Sequence, residues 1–326
     1  MDNIYSIHDL IKIKSEIELG LKNSFTPTFN HFISSESFDE YDLIIKCSHS
    51  SRVLDTSYNH ISQGLYYSSE HDQFISSLSF FGLNIEYGLK GILSKNTVLT
   101  FNKTYKTISK YLKVPISSVH PLFMLIKNII QIKLLQNNAS FVVGGALVYK
   151  KNTGIIITGM IGSGKTSAIM DLMHIDGMEY LSDDIFLSKN KKIYNLPSMI
   201  SSRKLNFGAF DYHVHSDPVK LFPKKVVTSF EKEMSIFIIQ RGNENKISSI
   251  ASDVGVNNFC CLNSKVFPFF SERVISSFPF IYDGYTLIDA LKQQSTLLSN
   301  TFLSANFYSV QLKDQSYLVK YIYEKY

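Results

Sequence analysis

The stretch from Gly154 to Leu172, GIIITGMIGSGKTSAIMDL, constrains this chain more than any other. Gly159, four intervening residues, Gly164, Lys165 and Thr166 spell the P-loop pattern G-x-x-x-x-G-K-[ST]. In that pattern successive backbone N–H groups wrap a polyphosphate, the lysine reaches its outer phosphates and the hydroxyl meets Mg²⁺. The flanks supply the context that this needs. Ile155, Ile156, Ile157 and Thr158 form a short β-branched run bounded by glycine, which reads as a buried strand. Ser167, Ala168, Ile169, Met170, Leu172 and Met173 continue as a helix, whose N-terminus offers free N–H donors and a positive dipole end to an anion. The pattern therefore predicts strand, phosphate loop and helix, with a nucleotide as ligand. The competing reading is a turn with a surface lysine, and the flanks speak against it.

A second signal follows the loop. Asp183 and Asp184 end an apolar lead-in, MEYLS, that reads as a strand able to pair beside the loop strand. One carboxylate there can hold Mg²⁺, directly or through water, while the other can sit near an acceptor hydroxyl. Phosphoryl transfer also wants positive charge around the transferred group. Arg203 in SSRKLN and Arg241 at the end of MSIFIIQR are candidates, although each also reads as an ordinary surface arginine. His213, His215 and Asp217 in YHVHSD have a spacing that could ligate zinc, but without a further well-placed ligand a polar loop or edge strand is the default. The adjacent Cys260 and Cys261 read as buried small side chains on opposite faces of a strand. Phe267–Phe270 and Phe278–Tyr282 read as core or packing turns.

With 326 residues, 44% of them hydrophobic and 19% charged, the chain can bury one large core or two ordinary ones. The net charge of +5 is spread out, with no dense basic run interleaved with aromatics, so nucleic acid is not argued for as a partner. Cys47, Cys260 and Cys261 offer neither a disulfide framework nor a C-x-x-C pair, which fits a reducing, cytoplasmic setting. The N-terminus lacks the basic start and small-residue cleavage site of a signal peptide. The most apolar window, Phe123 to Leu135, is short and interrupted by Lys127, Asn128, Gln131 and Lys133. It reads as a buried helix, and no membrane partner is expected.

Residues 1–115 read as a smaller α+β domain of unassigned role, acceptor recognition being one candidate. It opens with helical spacing at Ile7, Leu10, Ile11 and Ile17, followed over 74–108 by short strands punctuated by Gly82, Gly88, Gly91 and Asn96. Residues 116–326 read as the nucleotide-binding domain. In order they show the apolar helix, SFVVGGALVY as one buried strand, the glycine loop, a strand into Asp183–Asp184 and a hairpin turning at Asn190–Lys191. A strand over Met234–Arg241 and a helix opened by a Thr286/Asp289 capping box come after. Alternating strands and helices make α/β the economical fold class.

GGALVYKKNTGIIITGMIGSGKT together with YLSDD resembles the HPr kinase/phosphorylase and phosphoenolpyruvate-carboxykinase-like P-loop proteins, over residues 116–245 and more faintly beyond. Among the branches of that family the chain looks most like the HPr-kinase-like proteins associated with peptide modification. The resemblance implies a kinase domain with a central mixed sheet, using ATP or another nucleoside triphosphate with Mg²⁺. It implies that Gly159, Gly162, Ser163, Gly164, Lys165, Thr166 and Ser167 hold the phosphates, and that Thr166 and Asp184 hold the metal. Asp183 then takes the acceptor proton, with Lys165 and Arg203 neutralising charge. The implied acceptor is a hydroxyl, of a serine or threonine in a peptide or protein or of a small molecule, and a homo-oligomer stays open. The family carries a histidine fifteen positions before the first loop glycine, where this chain has Gly144. That departure implies that Asp183 acts alone as proton acceptor and that phosphorolysis of the product is weak. It also motivates the alternative, a nucleotide-binding regulatory or scaffold protein without transferase activity.

Overall fold

The structure, a computed structural model, describes residues 2–19, 29–48, 54–80, 82–111, 122–197, 200–207, 210–266, 273–278, 281–282 and 285–326. The chain divides into two compact units. Met1–Ser24, Thr28–Asn137 and Phe269–Ala290 make the first, and Asn138–Pro268 and Leu291–Tyr326, with Phe25–Pro27, the second. The division thus falls after Asn137, not after residue 115, and the chain returns to the first unit at Phe269–Ala290.

The first unit is built on an eight-stranded mixed sheet. Where helical spacing was read at the start, Asn3–Ile7 and Ile11–Ser15 form an antiparallel hairpin. Tyr5, Ile7, Ile11, Ile13 and Ser15 are buried at alternate positions, so a period of two outweighs the spaced isoleucines. His8 and Asp9 turn the chain at φ +51° and +56°, with a polar side chain at each position. Leu43–Cys47 pairs parallel with Ile11–Ser15 and with Thr97–Phe101, after which Leu83–Lys90, Gln73–Phe80, Leu65–Ser68 and Asn59–Ser62 follow antiparallel. The strand-rich reading holds up to Phe101, but Lys103–Tyr111 is a helix and Gly88 lies inside a strand, not at a turn.

Helix Phe123–Gln136 also belongs to this unit. Gln136 Nε2 donates to the Leu93 carbonyl (2.8 Å), Asn137 Nδ2 to that of Leu10 (2.8 Å), and Lys133 Nζ to that of Ser94. Asn128, Gln131 and Lys133 are as buried as the leucines around them, so the polar interruptions do not mark a solvent face. Burial pulls the Lys133 ammonium down to about 8, with Asp42 and Asp72 opposing.

The second unit is layered. Its six-stranded sheet runs Met178–Ser182, Gly145–Tyr149, Thr153–Gly159, Glu233–Arg241, Asn306–Leu312, Lys246–Ile250. The third, fourth and fifth of these are mutually parallel. Such strands are buried on both faces, and consecutive isoleucines serve both. Ile155 and Ile157 pack with Ile169, Leu172, Phe237 and Leu318 on one side, while Ile156 packs with Phe186, Ile236, Phe259 and Phe302 on the other. A four-stranded sheet, Ser229–Phe230, Lys192–Tyr194, Ile185–Lys189, Ser140–Val143, contributes to the second of these cores. The chain therefore breaks what reads in sequence as one strand. Ser140–Val143 lies in the small sheet and Gly145–Tyr149 in the large one. Cys260 and Cys261 sit in helix Ser252–Val266, not on a strand, with Cys260 half-buried and Cys261 exposed. The side chains of His213 and His215, and residues 267–270 and 279–280, lie outside the described residues. Asp217 caps the short helix Pro218–Leu221 by accepting from Val219 N–H (3.0 Å).

Candidate functional site

The glycine loop leaves strand Thr153–Gly159 and enters helix Lys165–Leu172, so the expected strand, loop and helix follow in order. Gly159 has φ +156°, and a Cβ there would lie 2.3 Å from the Ile239 carbonyl and 2.9 Å from Ser163 Oγ. No other residue fits, because the loop closes back on the neighbouring parallel strand at that point. Ser163 Oγ is buried inside the turn without a hydrogen-bond partner. Gly162 lies in the turn and Ser167 is exposed in the first turn of the helix. Lys165 is nearly buried, with Nζ donating to the carbonyls of Gly159 (3.0 Å) and Met160 (3.1 Å). Burial pulls its ammonium below the usual range, opposed first by Asp184 and then by Asp183.

The aspartates are placed by a corner between two sheets. Met178–Ser182 pairs with Gly145–Tyr149 in the large sheet, and Ile185–Lys189 pairs with Ser140–Val143 in the small one. Asp183–Asp184 and Gly144 are the residues left at the crossing, where Gly144 N–H donates to the Asp184 carbonyl (2.8 Å). Thr158 Oγ1 donates to the Val143 carbonyl (3.0 Å), and Asn263 Oδ1 accepts from Val143 N–H (2.7 Å), so the broken strand keeps its hydrogen bonds. Gly144 takes φ +147°, and a Cβ there would sit 3.0 Å from the Ile157 carbonyl. The backbone at this corner strains any larger residue at the position where the resembled family has histidine.

Asp183 is 5% exposed, and its Oδ2 accepts from Thr166 Oγ1 (3.2 Å). Its Oδ1 is buried without a partner. Burial, then the neighbouring Asp184 charge, push its carboxyl up to about 7, against the pull of Thr166 and Lys165. Asp183, not Asp184, is thus the acid beside the loop threonine, while the Asp184 charge bears on Lys165 more than the Asp183 charge does. That proximity is the reverse of the expected split, in which Asp184 stood on the metal side. A buried carboxylate with one oxygen unsatisfied, next to a hydroxyl, fits a hard cation, which takes oxygen ligands.

Of the two arginines, Arg241 ends strand Glu233–Arg241 at the loop, and a Cβ at Gly164 would lie 3.3 Å from its guanidinium. Arg203 falls in strand Ile200–Phe207, whose backbone alone is described at that position. Sequence reasoning missed Gln315, whose Nε2 donates to the Gly164 carbonyl (2.9 Å) just ahead of helix Ser316–Lys325. Its only signal is position, because it follows the carboxyl end of a parallel strand, where open α/β sheets carry their ligand loops. The described residues contain no cluster of three or more His, Cys, Asp or Glu able to hold a metal by themselves. A cation here would need the oxygens of a bound polyphosphate as well.

No protein-family model matches this chain, and no curated protein matches it in sequence. Among solved structures it bears a distant likeness to the HPr(Ser) kinase/phosphatase from Coxiella burnetii. The two are 11% identical with a TM-score of 0.28, over 57% of this chain and 97% of that one.

Proposed function

We infer that this chain is a Mg-nucleotide-dependent phosphotransferase acting on a hydroxyl, with serine or threonine of a polypeptide as acceptor and ATP as donor. The observation that carries the reading is the Thr166–Asp183 hydrogen bond beside a buried Lys165 in the glycine loop. Thr166 and Asp183 would hold Mg²⁺, which neutralises charge on the phosphates when bound. Lys165 exchanges the two loop carbonyls for the outer phosphates, and Arg241 adds a second cation at the loop. Asp184, close enough for its charge to act on Lys165, takes the acceptor proton as the hydroxyl oxygen bonds to the γ-phosphorus and the bond to the diphosphate breaks. The roles of the two acids are therefore exchanged relative to the family-based expectation. Gly144 brings no side chain to this chemistry, and this favours a second reading, a nucleotide-binding protein without transfer.

Calorimetry with ATP and Mg²⁺ tests the foundation. Wild type should bind and Lys165→Ala should lose at least tenfold in affinity, since a charged hydrogen bond to phosphate contributes roughly 1.5–3 kcal/mol. Equal affinities would remove the site. If binding holds, γ-labelled ATP with host extract separates the two readings, because only a kinase leaves label on a protein.

A further inference from the structure

We propose that the second unit carries an anchoring site for an acidic polypeptide segment, in the cavity between the Lys150–Lys151 turn and Lys224–Lys225. As a site for the acceptor it rests on the kinase reading, but its existence does not. The cavity measures about 350 Å³ and is lined by Lys150, Lys151, Lys224 and Lys225, with Met178 and Glu179 on strand Met178–Ser182. Four described lysines elsewhere are paired with carboxylates, Lys14–Asp2, Lys95–Glu40, Lys106–Glu16 and Lys320–Glu324. None of the four cavity lysines has such a partner among the described residues. Lys225 Nζ donates to the Met173 carbonyl (3.0 Å), and Lys150 Nζ lies 4.9 Å from the Tyr149 ring centroid. Four lysines thus share the cavity with a single carboxylate, Glu179, and an anion would offset the excess positive charge.

Glu179 identifies which anion. Its Oε2 is buried without a hydrogen-bond partner, at the wall of a cationic cavity. A peptide can set its own carboxylates against the lysines and leave uncharged backbone opposite Glu179. A phosphodiester backbone carries a charge at every step and would be repelled by Glu179. The turn itself holds Lys150 and Lys151 at φ +47° and +55°, where Asn-Gly is the preferred pair. The site is also distinct from the phosphate loop. Strand Thr153–Gly159 separates the two, and its six residue steps at about 3.3 Å each put them about 20 Å apart. An extended acceptor therefore has about six residues or more between its acidic anchor and the hydroxyl that is modified.

The test is fluorescence anisotropy with a labelled peptide containing six consecutive glutamates, at low salt, against the full chain. Wild type should bind, and Lys150→Asn/Lys151→Gly combined with Lys224→Ala should weaken binding at least tenfold. The first two substitutions suit the positive-φ turn, so the variant should melt no lower than wild type, which a thermal scan checks. Lys165→Ala should bind the peptide as wild type does, which separates this proposal from the nucleotide site. Failure of wild type to bind, an unchanged affinity in the triple variant, or better competition by a single-stranded oligonucleotide than by unlabelled peptide would each overturn it.

Discussion

Asp183 combines two demands that conflict when no ligand is bound. It is buried, so ionisation costs solvation, and it lies beside Thr166, where the proposed Mg²⁺ would want it as a negative partner. Its carboxyl is raised to about 7 from the ordinary 3.8. The folded state therefore holds the proton more tightly than the unfolded chain does. This contribution to stability is present in full below about pH 4 and is lost as pH rises through about 7. At about 1.4 kcal/mol per unit the loss reaches at most about 4 kcal/mol. Asp183→Asn should consequently raise the melting temperature of metal-free protein at pH 8 by several degrees and flatten its fall between pH 4 and 8. A melting temperature at or below that of wild type at pH 8 would show that the carboxylate is not strained. The glycines, lysine, threonine and aspartates were legible in the sequence because each is a local pattern with a chemical reason. The pairing of Asp183 with Thr166 was not, because adjacent residues at a strand end diverge only once the corner is built. Nor was the reason for Gly144, whose position tolerates no histidine side chain without moving the Ile157 carbonyl.

At the scale of elements, legibility followed the period of the pattern and failed where the chain changes partners. Helix Leu287–Phe302 opens as read, with Thr286 N–H donating to Asp289 Oδ2 (2.7 Å) and Asp289 N–H to Thr286 Oγ1 (3.3 Å). The Asn190–Lys191 hairpin also turns where expected, at φ +50° and +63°. SFVVGGALVY reads as one strand because an apolar run carries no mark of a switch between sheets, and only its double glycine hinted at one. The loop around Gln315 illustrates a different gap, since its partner Gly164 lies 151 residues away. Lys313 and Asp314 N–H both donate to Asn245 Oδ1 (2.9 and 2.8 Å), so the turns after two adjacent parallel strands are tied together, and Gln315 ties them to the glycine loop. Gln315→Ala removes one neutral hydrogen bond from the cap of helix Lys165–Leu172, worth about 0.5–1.5 kcal/mol. Calorimetry should show nucleotide affinity falling about two- to twelvefold, with Gln315→Glu no better, because it replaces the donor with an acceptor facing a carbonyl. Unchanged affinity in both variants would reduce Gln315 to a bystander.

For the molecule as a whole, composition allowed two cores, and two compact units are present, each with its own principal sheet. No described helix is long and apolar enough to cross a membrane. The glycine loop, both aspartates, Arg241 and Gln315 all belong to the second unit. A ligand stabilises what it binds, by about 2.7 kcal/mol when present at a hundred times its dissociation constant. Only the unit that holds the site gains this directly, whereas helix Leu287–Phe302 starts in the first unit and ends in the second, and so offers one covalent route for sharing it. Each unit has a principal sheet of its own, and a chain with more than one such unit need not unfold in a single step. Scanning calorimetry should therefore show saturating Mg-ATP moving one part of the heat absorption upward by several degrees and leaving the remainder in place, and Lys165→Ala should abolish that separation. If the whole transition moves as one peak, the two units unfold as a single cooperative body, and nucleotide binding in the second is felt throughout the first.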